Sequence, residues 1–286
     1  MFFPDPFPYH QLLFAGKDRA LDYKQDYKHL RIDRDQRVAT VTFNRPDRAN
    51  ALNFEHLAEI EAAALAFRDD AETRVVIFTG AGKHFSSGAD LTDPGTEYQG
   101  PLSLRRRRSR IGERAIRALY EIDQITIAAW NGAAMGGGAC IATALDFRIG
   151  ADGCFMQYPE VDIGLNLMWK SLPLITHLAG PARAKRLVAG GERITAETLL
   201  AWGVIDELVA PDQLLPRARE MAEHYVNKPP VAVQMIKQSV NRIVSALDQS
   251  IMHMDVDQNL FSSTSEDRSK AVQAYLNGTP PEFTGN

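Results

Sequence analysis

Residues 130–142 read WNGAAMGGGACIA, a glycine-rich turn between the apolar stretch 125–130 and a second apolar stretch that runs to residue 145. The first stretch has the length and composition of a buried strand, and the residues after the glycines have helical spacing. A helix that starts at such a turn collects unpaired N–H groups and the positive end of its dipole. The sequence therefore predicts a strand, a turn and a helix, with a place for negative charge at the turn.

A related turn lies upstream of this one. Residues 84–90 read HFSSGAD and follow an apolar stretch at 74–79 that is typical of a buried strand. Small residues in the turn let a ligand come close enough to meet a main-chain N–H. Glycines also make tight turns without any ligand, so one such turn is weak evidence of function. Two turns at matching points favour a binding site.

Strand patterns and helix patterns alternate around the two turns. Strands are predicted at 38–43, 74–79, 125–130 and 147–150, and helices at 54–68, 102–122 and 136–145. From about residue 169 the pattern is helical to the end of the chain. This order is typical of the α/β class. We divide the chain into an N-terminal arm (1–26), a core (27–200) and a C-terminal helical region (201–286).

Composition narrows the classes of function. The 286-residue chain has a formal net charge of −4, so it lacks the basic excess of a dedicated nucleic-acid binder. Its two cysteines are too few for a disulfide framework or a zinc site. No stretch approaches the roughly 18 apolar residues of a membrane span, and prolines and acids near the N-terminus do not fit a signal peptide. We expect a cytoplasmic protein.

Three segments together resemble the crotonase (enoyl-CoA hydratase/isomerase) superfamily. They are FSSGADL (85–91), WNGAAMGGGACIA followed by ALD (130–146), and YPEVDIG (158–164). With flanking pieces, the resemblance covers roughly residues 28–280. It implies a spiral of ββα units with a C-terminal helical region that assembles as trimers or dimers of trimers. It also implies an acyl-CoA thioester as the substrate, with no metal or further cofactor.

The resemblance assigns roles by position. The N–H groups of Ala89 and Gly137 would hold the thioester carbonyl in an oxyanion hole, and Glu160 would face the α-carbon of the acyl group. Each preorganised donor contributes roughly 3 kcal/mol to stabilising a transition state. The main chain at five further positions would cradle CoA: Arg48, Ala49, Ala51, Asp90 and Leu91.

The chain departs from the hydratases of this family at two places. Cys140 stands where they carry a second glutamate, and a thiol orients water poorly, which puts hydration by two glutamates in doubt. We interpret Cys140 as a core residue next to the pocket. In residues 164–171 bulky side chains replace a Pro- and Gly-rich turn. Met168 and Trp169 either reshape the acyl pocket or fill the core.

Two further side chains are candidates for the pocket. Asp162 lies two residues after Glu160, so it shares a face with Glu160 if the segment is extended and is a surface charge if the segment turns. His84, beside the first turn, either orients the substrate or serves as a surface or capping residue.

Residues 105–110 read RRRRSR and need their own interpretation. On a helix, Arg106, Arg110, Arg114 and Arg117 fall on one face, which is typical of an amphipathic helix with a solvated side. Contact with CoA phosphates or with an acidic neighbouring subunit is an alternative, and RNA binding is a third.

These observations leave three hypotheses of function. The first is an enoyl-CoA isomerase-like enzyme in which Glu160 alone moves a proton. The second is a hydratase or lyase that recruits another group, such as Asp162, to hold water. The third, of a different class, is a CoA-binding interaction protein without catalysis, which the missing second glutamate motivates.

Overall fold

A computed structural model describes residues 27–92 and 100–286, with the side chains of Tyr275 and Leu276 left out. The predicted N-terminal arm, residues 1–26, lies outside the described residues. Within them, no helix combines the length and the apolar character needed to cross a bilayer.

The strands form two sheets. They are β1 (Leu30–Asp35), β2 (Val38–Phe43), β3 (Val75–Gly80), β4 (Ile125–Trp130), β5 (Ala133–Met135), β6 (Phe147–Ala151), β7 (Phe155–Gln157), β8 (Ile194–Thr195) and β9 (Glu207–Val209). The larger sheet has the order β1-β2-β3-β4-β6-β9, and the smaller has the order β5-β7-β8. In the larger sheet only β1 and β2 pair antiparallel, and the other neighbours are parallel.

The helices pack on both faces of the larger sheet and continue beyond it. They are α1 (Phe54–Ala66), α2 (Leu102–Arg108), α3 (Ile111–Tyr120), α4 (Gly137–Ala144), α5 (Ser171–Ala179), α6 (Pro181–Val188), α7 (Ala196–Ala201), α8 (Leu214–Val226), α9 (Pro230–Val244), α10 (Gln249–Met252), α11 (Asp255–Ser262) and α12 (Glu266–Asn277). The side chain of Asn53 accepts a hydrogen bond from the N–H of His56 and so caps the start of α1.

The alternation of side chains along the central strands creates two cores. In β3, Val76 and Phe78 point into a core that includes residues of α1, α3 and α4. Val75 and Ile77 point into a second core that includes the buried face of α8. All six residues of β3 are buried, as expected for a parallel strand that is covered on both faces.

The α/β class and the C-terminal helices are confirmed, and two details of the prediction are wrong. The predicted helix 102–122 is two helices, because α2 buries no side chain whereas α3 has a continuous buried face. The stretch after residue 169 is not entirely helical, because β9 joins the larger sheet beside β6. β9 has only three residues, which are too few to show the alternating pattern of a strand in the sequence.

Candidate active site

The two predicted turns lie side by side, because parallel β3 and β4 end at the same edge of the sheet. The N–H of Ser86 donates to the carbonyl of Ala133 at 3.0 Å, and the N–H of Met135 donates to the carbonyl of Ser86 at 3.0 Å. The side-chain amide of Asn131 donates to the carbonyl of Gly80 at 2.8 Å and accepts from its N–H at 3.1 Å. These bonds fix the first turn against the second.

Gly88 is a point of close approach between the turns. Its φ of +87° favours glycine, and a methyl group there would lie 2.6 Å from the carbonyl oxygen of Met135 and 3.2 Å from the nitrogen of Gly137. Any larger residue would push the turns apart. The missing side chain therefore brings Ala89, the next residue, close to the start of α4.

Ala89 and Gly137 both line one cavity. The N–H of Leu52 donates to the carbonyl of Gly88, and the N–H of Asp90 donates to the carbonyl of Leu52. These two hydrogen bonds use main-chain groups of the residues before and after Ala89, and they leave the N–H of Ala89 out. Gly137 is the first residue of α4, whose opening N–H groups have no partner within the helix. Across residues 27–92 and 100–286, nothing accepts a hydrogen bond from either N–H.

The cavity encloses about 170 Å³. Its lining comes from both turns, from the segment 159–169 and from α11: Ser87, Gly88, Ala89, Leu91, Gly136, Gly137, Cys140, Pro159, Glu160, Ile163, Leu165, Leu167, Met168, Trp169 and Asn259. We call Gly88, Ala89, Gly136 and Gly137 the amide wall, and residues 165–169 the indole wall.

Glu160 is the carboxylate of this cavity. A short 3-10 turn, Val161–Ile163, follows it, and the N–H of Leu165 donates to its carbonyl at 2.9 Å. A methyl group on Gly136 would lie 2.7 Å from Glu160 Oε1, so this glycine lets the carboxylate approach the amide wall. Oε2 is buried and has no hydrogen-bond partner among the described residues. Burial, with a smaller effect of Asp162, raises the pKa of Glu160 to about 7.

Cys140 and Tyr158 are buried beside Glu160. Burial, and next the charge of Glu160, raises the pKa of the Cys140 thiol well above its usual value, so the thiol stays protonated. Burial likewise raises the pKa of Tyr158, whose hydroxyl is enclosed next to Cys140. A protonated thiol is a weak donor and a weak acceptor. Among the described residues that line the cavity, Glu160 is the one carboxylate.

The indole wall borders the cavity and packs against Gly137 of the amide wall. The ring of Trp169 lies across Gly112 of α3 and Gly137 of α4, because a methyl group on either glycine would lie 2.0 Å or 2.1 Å from a ring atom. Trp169 and Lys170 both have left-handed backbones, with φ of 69° and 58°. Met168 also lines the cavity. The bulky segment thus borders the space beside Glu160.

Polar contacts hold the indole wall against α11. The N–H of Lys170 donates to Asp255 Oδ2 at 2.6 Å, and Lys170 Nζ lies 2.7 Å from Glu113 Oε1 of α3. The side-chain amide of Asn259 donates to the carbonyl of Asn166 at 2.6 Å. Asp255 is buried, and its burial raises its pKa. A helix about ninety residues downstream therefore fixes the shape of the cavity.

The residues assigned to CoA lie around the first turn. Ala49 has a left-handed backbone with φ of 50°, Arg48 and Leu91 are exposed, and Ala51 is buried. Asp90 is buried and pairs with Arg45 at 2.9 Å. Burial raises the pKa of Asp90, but hydrogen bonds from Thr92 and Arg45 outweigh it and hold this pKa below its usual value. The Asp90 carboxylate is thus engaged in holding the loop.

The other two candidates lie away from the cavity lining. Nδ1 of His84 accepts a hydrogen bond from the N–H of Ala133 at 3.3 Å, so the ring bridges the two turns. The segment after Glu160 turns rather than extends, and Asp162 is exposed. A methyl group on Gly191 would lie 2.8 Å from Asp162 Oδ1, and Asp162 lines a different cavity from Glu160.

The arginines predicted on one face pair with carboxylates of the same chain. Arg106 binds Asp257 of α11 through two nitrogens, at 2.5 and 2.9 Å. The other three pairs are Arg110 with Glu113, Arg114 with Glu61, and Arg117 with Glu121. This face therefore forms ion pairs within the subunit.

Part of the cavity lining had no signal in the local sequence. Gly88 and Gly136 lie within the turns that were singled out, so their place follows once both turns are recognised. Ile163, Leu165 and Asn259 were not singled out. Asn259 lies in a polar helix, and no pattern near it indicates a contact with a segment so far away.

Comparisons with known proteins identify the family of the chain. The family model described as enoyl-CoA hydratase/isomerase matches residues 33–286. The chain is 32% identical to a short-chain-enoyl-CoA hydratase of Clostridium acetobutylicum, over 86% of this chain and 93% of the relative. It is 30% identical to a 1,2-epoxyphenylacetyl-CoA isomerase of Escherichia coli, over 87% of this chain and 95% of the relative. A solved enoyl-CoA hydratase/isomerase from Xanthobacter autotrophicus superimposes with a TM-score of 0.79 at 28% identity, covering 88% of this chain and 94% of that one.

Proposed function

Because the chain belongs to the enoyl-CoA hydratase/isomerase family, we propose that this acyl-CoA enzyme works through a thioester enolate and moves a double bond with Glu160 as its single base. One observation carries the proposal. Oε2 of Glu160 is buried without a hydrogen-bond partner among the described residues, and Glu160 lines the same small cavity as Ala89 and Gly137.

Ala89 and Gly137 supply the electrophilic half of the proposed chemistry. Their N–H groups donate to the thioester oxygen, which draws electrons from the carbonyl and makes the neighbouring α-carbon acidic. The donors gain most when the oxygen becomes an enolate, and each contributes roughly 3 kcal/mol to the transition state. These groups are main-chain atoms fixed by the two turns, so they need no reorganisation during the reaction.

Glu160 supplies the proton transfer. Its carboxylate takes a proton from the α-carbon of a 3-enoyl thioester, and the electron pair of that C–H bond spreads into a dienolate. The same carboxyl then returns the proton to the γ-carbon, so the double bond moves and no atom is gained or lost. A pKa of about 7 suits a base that must also act as an acid near neutral pH.

The surroundings of Glu160 favour isomerisation over hydration. Hydration needs a second group to hold water, and the side chain at that position is the protonated thiol of Cys140. Asp162, the nearest other carboxylate in sequence, lines a different cavity. The bond migration described above requires one carboxylate and no bound water.

Hydration or a lyase reaction remains the second candidate, because several similar proteins carry hydratase or dehydratase names. In that case a polar group other than Cys140 or Asp162 would hold the water. The buried hydroxyl of Tyr158 lies near Glu160, behind the residues that line the cavity, and is one candidate.

Incubation with 3-enoyl-CoA and 2-enoyl-CoA in deuterated water tests the proposal. We expect double-bond migration and α-deuterium from the wild type, and little of either from Glu160→Gln. Asp162→Asn is the matched control and should keep both activities. Hydration of 2-enoyl-CoA without migration would support the second candidate. No exchange with any thioester would contradict both and favour a CoA-binding protein without catalysis.

The apolar surface of the C-terminal helices supports assembly with further copies of the chain. Met235, Ile236 and Ile243 of α9, with Leu247 after it, are mostly exposed. Beside them α9 borders an apolar groove of about 480 Å³. Monomers rarely expose so much contiguous apolar surface. The proposal is a trimer or a dimer of trimers in the cytoplasm, and the mass in solution by light scattering tests the assembly.

A further inference from the structure

The cavity beside Glu160 is small for a ligand site. Its volume is about 170 Å³, whereas ligand pockets usually enclose roughly 300–1,000 Å³. The pantetheine and nucleotide parts of CoA extend outside such a space, so it has room only for the acyl group. The indole of Trp169 borders this space and lies against both Gly112 and Gly137.

Three energetically unfavourable features accompany the position of the Trp169 side chain. Gly112 lies within α3, where glycine weakens a helix, and its missing side chain is the space that the ring occupies. Trp169 and Lys170 are consecutive non-glycine residues in the left-handed region, which disfavours each of them. Strained backbone persists only where its surroundings fix it, and it concentrates at functional sites.

Buried polar contacts fix the strained pair. Asp255 is 7% exposed and accepts the N–H of Lys170 at 2.6 Å, while Glu113 pairs with the ammonium of Lys170 at 2.7 Å. Glu113 follows Gly112 in α3, so the same turn of helix both receives the indole and holds the next residue. The ring is therefore held from two sides.

A second cavity of about 260 Å³ lies behind this segment, with Lys170, Leu174 and Ile116 in its lining. Ile116 is one helical turn after Gly112, the residue of α3 that the indole contacts. The second cavity therefore lies further along α3 than the indole. Trp169 lines only the first cavity and Lys170 only the second. These two residues form the partition between the cavities.

We propose that Trp169 ends the acyl pocket and selects short-chain acyl-CoA thioesters as the substrates of this enzyme. The proposal rests on the proposed function, because it assumes that the acyl group lies beside Glu160. A short acyl group fits between the amide wall and the indole. A long chain meets the ring, and removal of the ring opens a path toward the second cavity.

Binding of saturated thioesters tests the proposal without depending on turnover. The affinities of butyryl-CoA, hexanoyl-CoA and decanoyl-CoA are measured by calorimetry for the wild type, Trp169→Ala and Trp202→Ala. Trp202 is the matched control, since it packs outside the cavity against Arg183 and Arg186. We expect wild type and Trp202→Ala to prefer butyryl-CoA over decanoyl-CoA by about tenfold or more, and Trp169→Ala to lose this preference.

Gly112→Ala provides a second test that leaves Trp169 in place. The new methyl group would lie 2.0 Å from the indole, so the ring must move and the preference for butyryl-CoA should change. In the double variant with Trp169→Ala, the added methyl should have no further effect on the preference. If Trp169→Ala does not fold, Trp169→Phe shortens the side chain and should raise decanoyl-CoA affinity instead.

Two results would overturn the inference, and they are distinguishable. Equal affinity of the wild type for butyryl-CoA and decanoyl-CoA would remove the chain-length role and leave the proposed function intact. Failure of the wild type to bind any thioester would contradict the proposed function, and this inference with it.

Discussion

The amide wall and the indole wall line one cavity and meet at Gly137, but they are built in opposite ways. The amide wall consists of main chain at the ends of two parallel strands, with side chains removed at Gly88, Gly136 and Gly137. The indole wall consists of side chains on an irregular segment that a distant helix, α11, holds in place. Polarisation of a thioester carbonyl, which all thioester substrates share, requires only fixed N–H groups. Selection among acyl groups requires a pocket of defined shape, and side chains define that shape.

The difference also separates what each wall contributes energetically. In the proposed reaction the N–H groups of the amide wall act on any thioester oxygen, so changes to the amide wall should lower the rate for all substrates. In the proposed acyl pocket the indole meets the end of the acyl group, so changes to the indole wall should alter the ranking of substrates. Each prediction below tests one side of this distinction.

Replacement of Glu160 should have the largest effect, because both walls depend on the same base. General acid–base catalysis contributes about 10²–10⁴-fold, and we expect Glu160→Gln to lose about that much α-proton exchange for every thioester. In the wild type the exchange rate should rise with pH through about 7, as the carboxyl loses its proton. Exchange rates measured by NMR across pH provide the check. A wild-type profile flat between pH 5 and 9 would contradict the role of Glu160.

Gly137→Ala should have the next largest effect, because Gly137 is where the two walls touch. A methyl group would lie 2.1 Å from the Trp169 ring and 3.0 Å from Leu52 Cδ1, so the start of α4 must shift. Loss of one oxyanion donor lowers rates by about 10²–10³-fold. If the clash with the indole causes the shift, adding Trp169→Ala should restore part of the rate. Rates of the two variants with a short thioester, compared with wild type, decide this.

The two turns of the amide wall were predictable from the sequence and the packing of the indole wall was not. The turns follow from two local patterns, because a glycine turn at the end of a buried strand places the main chain at the sheet edge whatever lies elsewhere. Ala89 and Gly137 were assigned as the N–H donors by resemblance. Glu160 was assigned by resemblance, and its burial and raised pKa depend on the packing of 159–169. The place of Trp169 depends on Gly112, Glu113 and Asp255, which are 57, 56 and 86 residues away along the chain. No local period encodes such contacts.

The charge of Glu160 should also reduce stability at high pH. The folded pKa of about 7 exceeds the value of 4.5 for an exposed glutamate. The folded state therefore binds more protons between these values, and its stability falls as pH rises from about 4.5 to 7. The shift corresponds to about 3 kcal/mol. Urea unfolding should show Glu160→Gln gaining up to about this much relative to wild type between pH 4 and pH 8. Equal pH dependence of the two proteins would mean that the carboxyl is solvated.

Asp255→Ala should sharpen the distinction between the walls, because it loosens the indole wall alone. It leaves the N–H of Lys170 without its buried acceptor, which costs about 1–3 kcal/mol. We expect a weaker preference for short acyl groups and little change in exchange with the shortest thioester. Asp257→Ala is the matched control on the same helix, since Asp257 is exposed and pairs with Arg106. An equal loss of exchange for all chain lengths in Asp255→Ala would show that the contact between Asp255 and Lys170 also supports the amide wall.

Cys140→Ala should have the smallest effect, and its size separates the two reactions considered for this site. The thiol is buried and its pKa is raised by burial and by Glu160, so we expect a neutral group that neither attacks the substrate nor orients water. Removing it should cost about 1 kcal/mol of stability through lost packing and change α-exchange by less than about threefold. The ratio of double-bond migration to hydration should stay the same. If instead hydration falls while migration is kept, then Cys140 takes part in holding water despite its weak hydrogen bonding. The amide wall and Glu160 would then serve both reactions, with the residue at position 140 deciding between them.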